Sequence, residues 1–181
     1  VWCTKIEQIY IPPKVKEISF RCFNFCKNLK KIIIPKNSEL ETIKSNAFDV
    51  SSIECITIPT KLVNLVDMWG VRTPKVKKID IFPDNPLFSP YKGEFILQRS
   101  SADQKNFRVL AFSVRNIEKV IIPSFIETIE NYAFSQCKRF KSIEFEKNSQ
   151  LRRIGRFSFF KTLILMNKIS IYLKFLKDYF C

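Results

Sequence analysis

Apolar and polar residues follow one recurring frame along this chain, L-x-x-L-x-L, which places three apolar side chains on the same side of a short strand. Leu29, Ile32 and Ile34 show the frame most clearly, and Pro35 ends it because proline has no N–H for a β-ladder. The middle apolar residue recurs at spacings of 23, 24 and 23 residues, at Ile9, Ile32, Ile56 and Ile79. A regular spacing of this length predicts stacked structural repeats.

The segments between these strands repeat as well. Ile18, Phe23 and Cys26 keep a spacing that returns at residues 129, 134 and 137, and Ser51 and Thr162 occupy the cysteine position in two other copies. Because serine and threonine replace them, these cysteines are expected to be small buried side chains behind the strands, not metal ligands or redox centres. An oxidised pair of Cys3 and Cys26, on neighbouring repeats, remains an alternative.

A single repeat leaves its apolar side in water, and stacking several repeats buries it. The sequence therefore predicts a leucine-rich-repeat solenoid of about seven rungs over residues 1–162. Short parallel β-strands should line one face, with turns and short 3-10 or helical segments opposite. At roughly 4.8 Å per rung, the stack would be about 30 to 35 Å long.

The period breaks at an irregular repeat between residues 83 and 117. A stretch ending at Leu97 is followed by a polar loop over residues 98–106, after which Phe107, Leu110 and Phe112 restore the frame. We expect a hairpin-like insertion with an exposed loop tip, followed by one more rung of the strand face. A domain boundary is the weaker alternative, because apolar periodicity continues on both sides.

After Thr162 the pattern decays. Residues 163–181 are predicted to form a degenerate last repeat or a C-terminal cap. The cap would be a helix, with Ile169, Leu173 and Leu176 on one face, or a last strand at residues 169–171. Lysines interrupt this apolar stretch, so a membrane span is not expected.

The longer frame I-x-x-x-A-F-x-x-C-x-x-L-x-x-I-x-I-P resembles the BspA-like leucine-rich repeat of surface proteins from bacteria and from protists such as trichomonads. Residues 129–137 and 43–48 carry the resemblance together with the Ile-Pro rung ends, and residues 85–93 look like the family's irregular repeat. Trp69, in place of the repeat phenylalanine, departs from the pattern. The resemblance covers roughly residues 3–162. It implies a cell-surface or secreted protein that adheres to host cells or matrix proteins.

Composition adds charge and argues against several kinds of chemistry. The formal net charge of +14 implies long-range attraction for acidic partners, including anionic glycans. The chain has no histidine, no C-x-x-C pair and no glycine-rich phosphate loop. We therefore expect no enzyme activity, no cofactor and no metal site. Nucleic-acid binding is disfavoured, because most phenylalanines occupy core positions and are not interleaved with the basic clusters.

The outward positions of the frame form three columns down the predicted strand face. The first column alternates in charge except at one position: Glu7, Lys30, Glu54, Lys77, Arg108, Glu118 and Lys141. Opposite charges on neighbouring rungs attract each other, so this column is interpreted as structural. The other two columns pass through Val109 and Ala111 in the irregular repeat.

These two columns combine tyrosine and isoleucine with lysine, a mixture that suits recognition by a few anchors among adaptable polar contacts. The candidate binding residues are Gln8, Tyr10, Lys31, Ile33, Thr57, Lys78, Asp80, Lys119, Ile121 and Glu144. The expected function is non-enzymatic binding of a protein ligand, in particular cell-surface adhesion to a host or matrix component. The alternatives are a structural spacer with an ordinary solvated β-face and an electrostatic binder of anionic glycans.

Overall fold

A computed structural model of the protein describes Cys3 and residues 5–162. The predicted cap at residues 163–181 lies outside the described residues. The described residues form fourteen short strands: β1 (Gln8–Tyr10), β2 (Glu17–Ile18), β3 (Lys31–Ile33), β4 (Thr42–Ile43), β5 (Cys55–Ile58), β6 (Asn64–Leu65), β7 (Lys78–Ile81), β8 (Phe88–Tyr91), β9 (Phe95–Gln98), β10 (Val109–Ser113), β11 (Lys119–Ile122), β12 (Thr128–Ile129), β13 (Ser142–Phe145) and β14 (Arg153–Ile154).

The strands of the L-x-x-L-x-L frame are β1, β3, β5, β7, β11 and β13, and we call their outer surface the rung face. They pair in parallel with equal frame positions opposite each other, as in Ile9 opposite Ile32 and Ile56 opposite Ile79. The predicted solenoid with parallel strands on one face is therefore confirmed. Among the described residues the rung face has six strands, compared with the predicted seven or so.

The opposite side of the stack contains a second column of strands in place of the predicted 3-10 or helical segments, which do not occur among the described residues; these strands have two residues each, except β10 with five. Strands β2, β4 and β6 pair in parallel, and so do β10, β12 and β14. We call this side the second face. The core lies between the two faces, where Phe134 stacks on Phe140 and Phe159 at centroid distances of 5.4 and 5.3 Å.

In the turns between the two faces, the backbone of each regular repeat changes direction at two residues with left-handed conformation. The two residues are four positions apart. These pairs are Arg21 and Phe25, Asn46 and Val50, Met68 and Arg72, Tyr132 and Gln136, and Phe157 and Lys161. None of them is glycine, although each left-handed residue costs roughly 1–2 kcal/mol. Backbone hydrogen bonds between repeats hold the turns in place, as from Phe23 N to Ala47 O at 2.8 Å.

The irregular repeat is a three-stranded antiparallel meander of β8, β9 and β10 built into the stack. The hairpin that the sequence predicts is present, and residues 102–106 in the loop after β9 are exposed. The prediction that the segment from Phe107 to Phe112 forms a rung of the rung face is wrong. Strand β10 pairs with β12, so it belongs to the second face.

The error has a physical cause. Both faces of the solenoid bury alternate side chains, so an apolar frame fits either face, and backbone pairing decides between them. Val109 lies opposite Thr128 and Leu110 opposite Ile129, which places Leu110 in the buried column of the second face. Val109 and Ala111 are therefore not part of the rung-face columns.

The buried side chain of Asn85 fastens the start of this meander to the preceding repeat. Its Nδ2 donates to Pro59 O at 2.8 Å and to Leu62 O at 2.9 Å, and its Oδ1 accepts from Leu87 N at 2.9 Å and Phe88 N at 2.8 Å. The amide therefore satisfies backbone groups on both sides of the break in the regular stack.

Candidate binding face

The first column of the rung face consists of ion pairs between neighbouring repeats. Lys30 pairs with Glu7 at 3.2 Å, and Lys77 pairs with Glu54 at 2.6 Å. The hydrogen bond and charge of Lys77 lower the pKa of the Glu54 carboxyl below its usual value. This confirms the structural interpretation of the column, although pairs this exposed are individually weak.

The apparent exception to the charge alternation disappears in the structure. Arg108 does not belong to the column, because it pairs with Glu127 on the second face. The next member of the column is Glu118, which pairs with Lys141 at 2.7 Å, and that lysine lowers the pKa of the Glu118 carboxyl. The alternation of charge along the rung face is thus unbroken.

The first group of candidate binding residues lies on β1 and β3. Gln8 is opposite Lys31, and Tyr10 is opposite Ile33. Tyr10 is 53% exposed and Ile33 is half-buried. The four residues form one patch in which an exposed aromatic ring stands beside an aliphatic side chain, with a lysine at the edge.

The second group lies on β5 and β7, where Thr57 is opposite Asp80. Here the structure adds contacts that the sequence does not show. Lys78 pairs with Asp80 at 2.8 Å, and the Cys55 thiol donates to the same carboxylate at 3.4 Å. Asp80 raises the pKa of Lys78 through this hydrogen bond and its charge. Two of the candidate residues are therefore already engaged with each other.

The third group lies on β11 and β13. Ile121 is opposite Glu144, and Lys119 is opposite Ser142. Ile121 is 52% exposed, which makes it the aliphatic counterpart of Tyr10 at the other end of the rung face.

The structure does not bring the three groups together into one uninterrupted column. The meander separates β7 from β11, and a cleft of about 450 Å³ lies between them. Lys77, Gly93, Glu118 and Lys119 are among the residues that line this cleft. The first two groups are therefore adjacent along the stack, and the third stands apart.

Exposed aromatic side chains on the turns were missed by the sequence reasoning. Phe20 and Phe157 are both 57% exposed, and Phe157 stacks on Tyr132 at 5.4 Å. A signal was available for Phe20, because the same position is polar in other repeats, for example Ser45 and Asn131.

Burial of the repeat cysteines is confirmed for Cys26 and Cys137, which have no exposed surface, while Cys3 is half-buried. Burial, and then a hydrogen bond with Cys3, raise the pKa of Cys26 to about 12. The five cysteines in the described part of the chain are free thiols. Cys22 lies outside the repeat position and is exposed.

Two kinds of feature are absent from the described residues. No group of three or more histidine, cysteine, aspartate or glutamate residues there is arranged to hold a metal ion. Within the same range, no helix has the length and apolar character needed to cross a membrane.

Three solved structures share the fold. A leucine-rich cell surface protein from Faecalibacterium prausnitzii is 19% identical with a TM-score of 0.74, over 86% of this chain and 39% of that protein. The pneumococcal vaccine antigen PcpA is 25% identical with a TM-score of 0.76, over 87% and 37%. A leucine-rich repeat protein from Eubacterium ventriosum is 18% identical with a TM-score of 0.61, over 86% and 51%. The chain thus spans about two fifths to one half of these proteins.

No curated protein sequence matches the chain. The family description "BspA type Leucine rich repeat region", in contrast, matches it in six copies over residues 1–81 and 105–180. The stretch between the two matched regions contains β8 and β9, so the match breaks where the regular stack does. With most of its length in these copies, the chain belongs to the BspA-type leucine-rich repeat family.

Proposed function

We propose that the chain is a non-enzymatic binding domain of a cell-surface or secreted protein and that the rung face holds a protein ligand of a host cell or matrix. The observation that carries the proposal is the exposure of Tyr10 and Ile121. Both point outward from short paired strands, next to lysines at positions 31 and 119. Side chains of this kind are the common anchors of protein interfaces.

The two ends of the rung face differ from its middle. In the middle, Lys78 and Asp80 neutralise each other, whereas the patch around Tyr10 offers an aromatic ring and an aliphatic side chain on a rigid strand pair. Rigid strands lose little conformational entropy on binding, which favours affinity. The names of the structural neighbours, a cell surface protein and a vaccine antigen, support the surface location.

The test is binding of the purified chain to intact epithelial cells at about 0.15 M and 0.5 M salt. A variant with Lys31→Glu, Lys78→Glu and Lys119→Glu changes the rung face. A matched control makes the same threefold charge change at exposed lysines outside the rung face, with Lys16→Glu, Lys36→Glu and Lys147→Glu. Saturable binding that survives the higher salt, is lost in the face variant and persists in the control supports the proposal.

A further variant, Tyr10→Ala with Ile121→Ala, removes the anchors without altering charge and is expected to weaken binding by about tenfold or more. Binding that disappears at high salt in every variant would identify an electrostatic binder of anionic glycans, because screened charges act only at low ionic strength. Absence of binding at both salt concentrations would contradict adhesion and leave the chain as a structural spacer.

A further inference from the structure

A second cleft, of about 240 Å³, opens on the second face where the meander interrupts the stack. One wall is the turn over residues 65–71, and the other comprises β10 and the turn over residues 130–132. Asn131 Nδ2 bridges the walls by donating to Asp67 Oδ2 at 3.0 Å, although the two residues are 64 positions apart in the chain. The volume is on the order of eight times that of a water molecule in the liquid.

Arg115 contributes to the lining of this cleft, and its side chain is buried, with 3% of the residue exposed. The matching positions of regular repeats are Lys27 and Lys138, one residue after the repeat cysteine, and both are exposed. The irregular repeat therefore turns inward a cation that the regular repeats keep in water. Burial lowers the pKa of Arg115, but an arginine remains charged at neutral pH.

The guanidinium group is only partly satisfied. Its Nη1 donates to Ala133 O at 2.8 Å, and its Cζ lies 3.9 Å from the ring centroid of Phe112. Among the described residues, Nε and Nη2 have no hydrogen-bond partner, and no carboxylate there forms an ion pair with Arg115. A buried charge without a partner is strongly destabilising in general, so such groups normally have an acceptor.

The two unpaired nitrogens share one edge of the guanidinium plane. That edge presents two parallel N–H donors, the arrangement that receives both oxygens of a carboxylate. We propose that the cleft is a carboxylate-binding site in which the Nε and Nη2 edge of Arg115 holds the carboxylate oxygens. The carboxylate belongs to a small organic acid or to an acidic side chain of a partner protein.

The remaining walls favour a singly charged, partly apolar ligand. Trp69 and Phe112 pack at 4.9 Å and supply an apolar surface. Asp67 and Glu130 line the same cleft and repel any anion, a doubly charged phosphate more than a singly charged carboxylate, and the charge of Glu130 is offset by its ion pair with Arg153. Nε and Nη2 of Arg115 have almost no exposed surface, so the carboxylate reaches them only when side chains of the wall move. Met68, a flexible and half-buried side chain in that wall, permits such a movement.

The test uses the fluorescence of Trp69 as a local probe, in a Trp2→Phe background that removes the other tryptophan. Sodium propionate is titrated against sodium chloride at equal ionic strength, and a blocked, amidated Gly-Glu-Gly peptide is titrated in parallel. A saturable change in fluorescence with propionate alone identifies a small acid as the ligand. A saturable change with the peptide alone identifies an acidic side chain of a protein as the ligand. Either outcome supports the site.

Two variants give the result its specificity. Arg115→Met should abolish the signal and remain folded, because an apolar residue of similar size replaces a buried charge that has no partner. Arg115→Lys keeps the charge without the two-donor edge, and we expect about tenfold weaker binding. Arg139→Met, at an exposed position, is the control and should bind as the wild type does.

The proposal is overturned if neither probe gives a saturable change in the wild type, or if the change is the same in Arg115→Met. It is also overturned if inorganic phosphate binds more tightly than propionate. Should Arg115→Met fail to fold by circular dichroism, the comparison of wild type with Arg115→Lys decides alone.

Discussion

Replacement of Asn85 by aspartate should destabilise the fold far more than its small change in shape suggests. Nδ2 of Asn85 donates to the carbonyl oxygens of Pro59, Thr60 and Leu62 at 2.8, 3.3 and 2.9 Å. The aspartate oxygen in its place cannot donate, and at neutral pH it brings a negative charge next to three carbonyl oxygens. Oδ1 still accepts from Leu87 N, so the change isolates the donor side of the amide.

The magnitude follows from what each carbonyl loses. Pro59 O keeps a second donor, Leu62 N, at 3.1 Å, so the loss falls mainly on the carbonyls of Thr60 and Leu62. An unsatisfied buried acceptor costs about 1–3 kcal/mol, and the carboxylate is itself desolvated. We expect Asn85→Asp to lower the free energy of unfolding by about 3–5 kcal/mol at neutral pH, a large part of the stability of an ordinary domain.

The same variant should recover stability in acid. Burial beside carbonyl oxygens raises the pKa of a carboxyl in the folded state above its unfolded value of about 3.9. The folded state then binds the proton more tightly, so the variant's deficit relative to wild type is smallest below the unfolded pKa and grows as pH rises towards the folded pKa. The protonated acid also regains one O–H donor.

Urea unfolding at about pH 7 and pH 4, followed by circular dichroism, measures the difference between variant and wild type at each pH. Asn37→Asp, in an exposed turn, is the matched control and should differ little from wild type at either pH. A deficit below about 1 kcal/mol at neutral pH, or one that does not shrink in acid, would refute the role assigned to the amide.

Three other substitutions and reactions test the turns and the core. Val50 is β-branched with a φ of 57°, so Val50→Asn should stabilise by about 0.5–1 kcal/mol and raise the Tm, and a lower Tm would contradict strain there. Cys22 is exposed and, although partial burial raises its pKa, should be alkylated in the native protein at pH 8, whereas the buried Cys26, with a pKa of about 12, should react only on unfolding, as mass spectrometry would show. Asp49 is buried and accepts from Arg72 Nε at 2.7 Å, so Arg72→Gln should cost about 2 kcal/mol in urea unfolding. Adding Asp49→Asn should recover part of that loss. If the losses of the two single variants simply add in the double variant, Asp49 and Arg72 do not stabilise the fold as a pair.

The stacked strands of the rung face could be predicted because their determinants are local and repeated. The spacing from Ile9 to Ile32 fixes which residues meet, and the charges of Glu7 and Lys30 then meet as well. Assignment of β10 to the second face could not be predicted in this way. The frame at Leu110 satisfies either face, and the choice depends on backbone pairing across nearly twenty residues with Ile129.

The burial of Arg115 and the pairing of Lys78 could not be predicted from the sequence either. Arg115 stands where Lys27 and Lys138 stand in regular repeats, and nothing in its neighbours along the chain distinguishes a buried cation from a solvated one. Lys78 is a candidate binding residue by sequence because its position faces outward. Its pairing with Asp80 depends on side-chain geometry within one strand, which an outward position alone does not specify.

Both observations direct attention to the interruption of the stack. In regular repeats the backbone groups of the turns are satisfied by the next repeat, as when Phe23 N donates to Ala47 O, so regular stacking leaves few backbone groups in the turns for a ligand. The meander removes one such neighbour, and the cleft with Arg115 and the break in the rung face both lie beside it. A solenoid gains stability from repetition and gains a distinct site where repetition stops. In this chain, the side chains that line the two clefts beside the irregular repeat, and not Asn85 at its start, are therefore the positions whose alteration should change ligand selectivity with the least effect on the stacked strands.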